Sequence, residues 1–187
     1  MNKTKRKIFE ASMRLFAEKG YEATSIEEIT ATVGVAKGTL YYHFASKEEI
    51  FNFLAIEGMN LIKNSIEIKT SKLDNAGDKI KAIILIQIKV LAKYEQFITL
   101  LLSQIWGNEA RNNSFREIVF DYIKLIEEIV REGIKKGELN NGDPEIIASG
   151  VFGLISSSMI YKLKNKKEMD INRIYNDFVN YIFNAII

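Results

Sequence analysis

The sequence predicts an all-α fold of about nine helices. Apolar residues recur at helical spacing through almost the whole chain, and no stretch shows convincing period-2 alternation. Pro occurs once and Gly 11 times in 187 residues, too few for a turn-dense β architecture.

The elements follow in order. Ile8, Ala11 and Leu15, flanked by Phe9 and Phe16, form an apolar stripe that Gly20 ends. Ser25-x-x-Glu28 is a capping box that opens a short second helix, stopped by Gly34. A third short helix spans about Ala36 to Phe44, and Ser46-x-x-Glu49 opens a long fourth one through Ile50, Leu54, Leu61 and Ile62. Ser71–Asp78 is polar, contains Gly77 and reads as a loop. Helices are expected over Asp78–Lys93 and Phe97–Trp106, with a loop over Gly107–Asn113. Apolar positions from Phe115 to Val130 carry a further helix towards Lys136, which the Gly137–Gly142 stretch ends. Asp143-Pro144 starts the next, with Pro at the first helical position. Asp170 caps a last helix bearing Ile171, Ile174, Phe178, Tyr181 and Ile182.

Composition removes several function classes. With no cysteine there is no disulfide framework, thiolate metal site or thiol nucleophile, and the lone His43 cannot build a multi-histidine centre. Neither a cofactor nor a metal is expected. No GxxxxGK[ST], HExxH or GxSxG string occurs, and the acids of Glu127-Glu128 sit on an ordinary charged helix face, so an enzyme is not expected. No apolar run approaches the roughly 18 residues of a membrane span. The basic start of the chain is interrupted too early for a signal peptide, and a cytoplasmic protein is expected.

The net charge of +2 is unevenly placed: residues 1–47 hold eight Lys or Arg against five Glu, and no acid occurs from Ile29 through Lys47. Within that stretch two short helices joined by Val33-Gly34-Val35 read as a helix-turn-helix, with Ile26, Ile29, Val35 and Leu40 forming a small core. A plain helical hairpin would satisfy the same pattern. Against that reading, the second helix exposes Lys37, Thr39, Tyr41, Tyr42 and His43 on an acid-free face. It also carries Gly38, which costs about 1 kcal/mol inside a helix but permits close approach of a DNA backbone.

Phe16-Ala17-Glu18-Lys19-Gly20-Tyr21, Thr24-Ser25, Gly34-Val35-Ala36-Lys37-Gly38-Thr39-Leu40-Tyr41-Tyr42-His43-Phe44 and Ser46-Lys47-Glu48-Glu49 together resemble the DNA-binding domain of the tetracycline-repressor (TetR) family, over about residues 5–54. Two positions depart from the family pattern. Ala36 stands where Ser or Thr usually caps the recognition helix, and Val33 replaces a usual Ala. The resemblance implies a DNA-binding domain over residues 1–46 and a ligand-binding and dimerisation domain over 47–187. It also implies a repressor that a small, mostly apolar molecule releases from a near-palindromic duplex. By position it assigns Lys37, Thr39 and Tyr42 to the groove, and Tyr41, His43 and Lys47 to phosphates. Thr24 and Ser25 fall where a helix N-terminus meets a phosphate, or serve only as caps. Lys3–Lys7 is either a basic arm along DNA or a solvated terminus. An adaptor that kept the fold without DNA binding is the remaining alternative.

In the larger domain Met59, Phe97, Trp106, Phe115, Tyr122, Phe152 and Met159 are candidates to line an effector cavity, or are plain core. Gln87, Thr99, Ser103 and Gln104 are candidates to orient the effector. Gly150, Gly153 and Ser156–Ser158, with Ser157 among them, place small residues on one of the last two helices. Phe178, Tyr181, Ile182 and Ile186 make the other strongly apolar. In the family these two helices pair with their symmetry mates, which implies an isologous homodimer.

Overall fold

A computed structural model describes residues 2–94, 111–164 and 170–186, with backbone alone at 111–115, 163–164 and 185–186. Among the described residues there are eight helices and no strand: α1 (Lys3–Lys19), α2 (Ile26–Val33), α3 (Lys37–His43), α4 (Lys47–Thr70), α5 (Ala76–Lys93), α6 (Arg111–Lys135), α7 (Pro144–Lys164) and α8 (Ile171–Ile186). The helix expected over Phe97–Trp106 lies outside the described residues.

The chain divides into two compact units, Met1–Gly58 with Tyr94–Glu117, and Met59–Lys93 with Ile118–Ile187. The division falls within α4 rather than at residue 46, because the first turns of α4 complete the N-terminal core. Phe51 packs edge-on against Phe16 and Tyr21 with ring centroids 6.1 and 5.2 Å apart, and Phe53 lies 6.1 Å from Phe9 and 5.2 Å from Phe44. Ile8, Phe16, Ile29, Leu40, Phe44, Ile50 and Leu54 are all buried in this unit.

Local chemistry sets the boundaries. The Asn2 side chain caps α1 by accepting from the Lys5 N–H at 2.8 Å, and Gly20 ends it at φ 86°. Both halves of the Ser25/Glu28 capping box form at the start of α2. Gly34 closes α2 at φ 73°, the left-handed region where a side chain is strained, and the Thr30 carbonyl accepts from both Gly34 N–H and Val35 N–H. Ala36 precedes α3 without a side-chain cap, as the departure at that position implies.

In the second unit α5 packs against α7 and α8. Its start is a correction. The expected loop ends at Asn75, whose Oδ1 accepts from the Asp78 N–H at 2.8 Å, and Gly77 is buried in the first turn of α5. The reason is close packing. A Cβ on Gly133 of α6 would lie 2.5 Å from that of Ala76, so small residues meet where two helices touch, and Glu138 accepts from the Ala76 N–H at 2.6 Å. A second correction concerns α6, which begins at Arg111, inside the stretch read as loop. A third concerns α7: over Pro144–Lys162 it is by length and composition long and apolar enough to cross a membrane, although Gly and Ser break its apolar runs. Its buried face, Ala148, Val151, Ile155 and Met159, belongs to the core of the second unit.

Candidate nucleic-acid interface

The helix-turn-helix buries Ile29 and Leu40 completely and leaves Ile26 and Val35 half-buried. With Leu40 turned inward, α3 presents Lys37, Gly38, Thr39, Tyr41 and Tyr42 to solvent, and His43 is half-buried. Tyr42 is 85% exposed, more than any other large apolar side chain described, and its ring meets His43 edge-on at 5.1 Å. An aromatic side chain this bare in a protein with an ample core is poised for a partner surface. A Cβ on Gly38 would meet nothing within 4 Å of the protein, so the space beside it is open to a ligand backbone.

Lys37 has a partner that sequence reasoning missed. Its ammonium bonds to the carboxylate of Glu27 on α2 and stands 5.9 Å from the Tyr41 ring centroid. That bond lowers the Glu27 carboxyl below its usual range and raises the Lys37 ammonium above its own. The pair bridges the turn at a separation of ten residues, which no helical spacing rule signals. Both side chains are more than half exposed, so an incoming phosphate or base edge exchanges for the carboxylate readily.

The remaining candidates divide. Ser25 is engaged as the cap of α2: its Oγ accepts from the Glu28 N–H at 3.1 Å, and its own N–H donates to Glu28 Oε2 at 2.9 Å. Thr24 is buried, its hydroxyl facing the Leu15 and Gly20 carbonyls at 3.2 and 2.9 Å, so that hydroxyl does not face a phosphate. Lys47 points back into the head, onto main-chain carbonyls 23 to 26 residues away. The Lys3–Lys7 run is helical, with Lys3, Arg6 and Lys7 exposed. It forms the first turns of α1, where Lys5 lies 5.1 Å from the Phe44 ring centroid and 4.3 Å from that of Phe53, and Arg6 pairs with Glu10 at 2.9 Å.

Among the effector candidates, Tyr122 and Gln87 meet inside the second unit. The Tyr122 hydroxyl donates to Gln87 Oε1 at 3.1 Å, while Gln87 Nε2 donates to the Phe152 carbonyl at 3.1 Å and to Ser156 Oγ at 3.0 Å. The Tyr122 ring stands 5.8 Å from Phe152, and burial pushes its phenol far above the usual range. Ser156 completes a polar trio in a largely apolar interior, and periodicity alone gives no sign of it. Met59 and Met159 are buried. Phe97, Thr99, Ser103, Gln104 and Trp106 lie outside the described residues, and at Phe115 only the backbone is described.

For the dimer candidates the two helices trade places. Phe178 and Ile182 are buried within the protomer, because α8 turns its apolar stripe onto α5, and of the residues singled out there only Tyr181 is bare, at 76% exposure. Ile186 ends α8, and its side chain is not described. The open apolar face belongs to α7. There Ile146, Gly150, Leu154, Ser157 and Tyr161 follow one another at helical spacing and are all exposed, with Gly153 half-buried beside them.

The family model for bacterial regulatory proteins of the tetR family matches residues 8–54, and that for the C-terminal region of YsiA-like proteins matches residues 56–185. A fatty acid metabolism regulator protein of Bacillus subtilis is 26% identical over 181 residues, which is 96% of this chain and 93% of the relative. A solved structure from Clostridium perfringens, described as a candidate fatty acid metabolism regulator, is 34% identical with a TM-score of 0.87, covering 97% of this chain and 98% of that one. The regulator FadR from Bacillus subtilis, solved in complex with stearoyl-CoA, is 26% identical with a TM-score of 0.87 over 95% of this chain and 97% of that one. These relatives are transcriptional regulators and not enzymes. With an exposed recognition helix on its head and both of its parts matched, this chain belongs to the tetR family of bacterial regulatory proteins.

Proposed function

We propose that this regulator is a cytoplasmic homodimer that represses from a near-palindromic operator and is released when a fatty acyl-coenzyme A thioester binds its C-terminal unit. The observation that carries the effector class is the stearoyl-CoA held by FadR of Bacillus subtilis, to which 95% of this chain aligns. The interior of the second unit supports it. Ile80, Ile83, Ile84, Ile88, Ile126 and Ile155 offer an apolar surrounding suited to an acyl chain, and the Gln87–Tyr122–Ser156 trio offers hydrogen-bonding groups suited to its carbonyl end. In this reading Met59, Tyr122 and Phe152 contribute to the effector site.

On the head, Lys37, Thr39 and Tyr42 read base edges in the major groove, while Tyr41, His43 and the α2 terminus at Ser25 fix the backbone. Dimerisation uses the α7 face from Ile146 through Gly150, Gly153 and Ser157 to Tyr161, together with Tyr181 of α8. The test is an anisotropy titration of a duplex from the protein's own promoter region, with and without stearoyl-CoA. Stearoyl-CoA is expected to lower DNA affinity and free coenzyme A to leave it unchanged. An operator affinity indifferent to short-, medium- and long-chain acyl-CoA alike would overturn the effector assignment and leave the DNA reading standing.

A further inference from the structure

Lys47 is the first residue of α4, and its half-buried side chain reaches back to the turn after α1. Its ammonium donates to the Tyr21 carbonyl at 2.9 Å, to the Thr24 carbonyl at 3.1 Å and, more loosely, to the Glu22 carbonyl at 3.4 Å, and lies 4.4 Å from the Tyr21 ring centroid. An ammonium has three N–H bonds, so three acceptors and a ring face make a complete seat. The seat sits just beyond the C-terminus of α1, where the helix dipole favours a cation.

The turn under that cation is the one from which the recognition apparatus starts. Residues 20–25 connect α1 to α2, and Ser25 at their end is the α2 cap. The turn holds itself by the Thr24 hydroxyl and by a Thr24 N–H donated to the Tyr21 carbonyl at 3.3 Å. Lys47 adds a tie from a different helix, more than twenty residues on. α2 in turn carries α3 through the buried pair Ile29 and Leu40. We propose that Lys47 is a positioning residue: its ammonium, seated on the carbonyls of Tyr21, Glu22 and Thr24, holds the entry to α2 and so sets the pose of the recognition helix, rather than gripping a phosphate.

This rests on the head binding DNA, and the two roles separate by salt and by sequence. A phosphate ligand supports all duplexes alike, and its removal lowers the salt slope by about 0.9 per head. A positioning residue leaves the phosphate count unchanged and matters most where base contacts must align. Lys47→Met, which keeps the stem over Tyr21 and loses the donors, is therefore expected to lower the ratio of promoter to random-duplex affinity by about tenfold, the equivalent of one base contact, with the salt slope unchanged. Lys47→Arg, with donors and charge retained, is expected to recover most of that ratio. In the wild type, ¹H–¹⁵N spectra are expected to show a slowly exchanging Lys47 ammonium that persists when promoter duplex is added.

A salt slope lowered by about 0.9 per head in Lys47→Met, or a scalar coupling from the Lys47 nitrogen to a DNA phosphorus, would overturn the proposal. So would an ammonium in the free wild type that exchanges too fast to be seen, a measurement that stands even if the Met variant does not fold. Failure of the wild type to bind any duplex sinks the DNA reading instead, and the free-protein spectrum still decides the seat.

Discussion

Tyr42 and Glu28 show how single side chains divide the labour of the head. Tyr42 contributes little to the fold, since most of its surface is already in water. Tyr42→Ala is accordingly expected to leave the melting temperature nearly unchanged, to weaken promoter binding by about 1–3 kcal/mol and to relax base preference at one position, read from affinities for single-base variants of the duplex. Glu28 works the other way. The hydrogen bond from Lys19 and then the Ser25 N–H hold its carboxyl down at about 2, against an ordinary value near 4.5. A carboxyl depressed by folding contributes stability that is present above the unfolded-state value and is lost as pH falls through the folded one. The melting-temperature gap between wild type and Glu28→Gln is therefore expected to be constant near neutrality and to close between about pH 4.5 and pH 2. A gap that held steady down to pH 2 would show that Glu28 is not set apart by folding.

At the scale of elements, two glycines with open space around them make opposite demands. Gly38 sits in α3 with no neighbour near its missing Cβ, so Gly38→Ala is expected to stabilise the head by up to about 1 kcal/mol through helix propensity, read by thermal melting. The same methyl group stands where a DNA backbone would come closest, and promoter affinity is expected to fall. A variant more stable and equally tight would remove the close-approach reading of Gly38. A Cβ on Gly153 of α7 likewise would have no neighbour within 4 Å among the described residues, unlike one on Gly133, which would strike Ala76 and Leu139. Gly153→Leu is therefore expected to fold normally and to weaken the dimer by about 1–3 kcal/mol per protomer through overpacking at the interface, seen in sedimentation as a mass shifting towards one chain. A wild-type protein sedimenting as one chain at micromolar concentration contradicts the interface.

For the molecule as a whole, effector and operator are linked by reciprocity. If stearoyl-CoA weakens operator binding about 100-fold, operator DNA must weaken stearoyl-CoA binding by the same factor, about 2.7 kcal/mol. On the proposed reading the effector acts through a preference for one arrangement of the two heads, because equal affinity for both shifts nothing. Calorimetric titration of stearoyl-CoA into the protein, free and bound to promoter duplex, is expected to give dissociation constants differing by the anisotropy ratio. Equal constants alongside DNA release would mean that the effector acts on the DNA complex by a route other than coupled equilibria.

The helix-turn-helix was legible from sequence because its signals are local. The Ser25/Glu28 capping box, Gly34 at positive φ and the uncapped Ala36 act within a few residues along the chain, where hydrogen-bond geometry is nearly independent of the rest of the fold. The resemblance of the head rests on the same contiguous residues. Tertiary structure decided what each face meets. The periodicity of α8 marks Phe178 and Ile182 as apolar, yet only the packing of α8 on α5 shows that they are covered within the protomer and that α7 carries the open face. Gly77 has the look of a loop residue until Gly133 and Glu138, more than fifty residues on, bring α6 and the turn after it against the start of α5. Lys37 and Lys47 both read as cations available to DNA, one to the groove and one to a phosphate, and the fold gives one an exposed carboxylate and the other three main-chain carbonyls. A sequence specifies how far a side chain reaches and what it can bond, but its partner is whichever group the folded chain brings within about 3 Å.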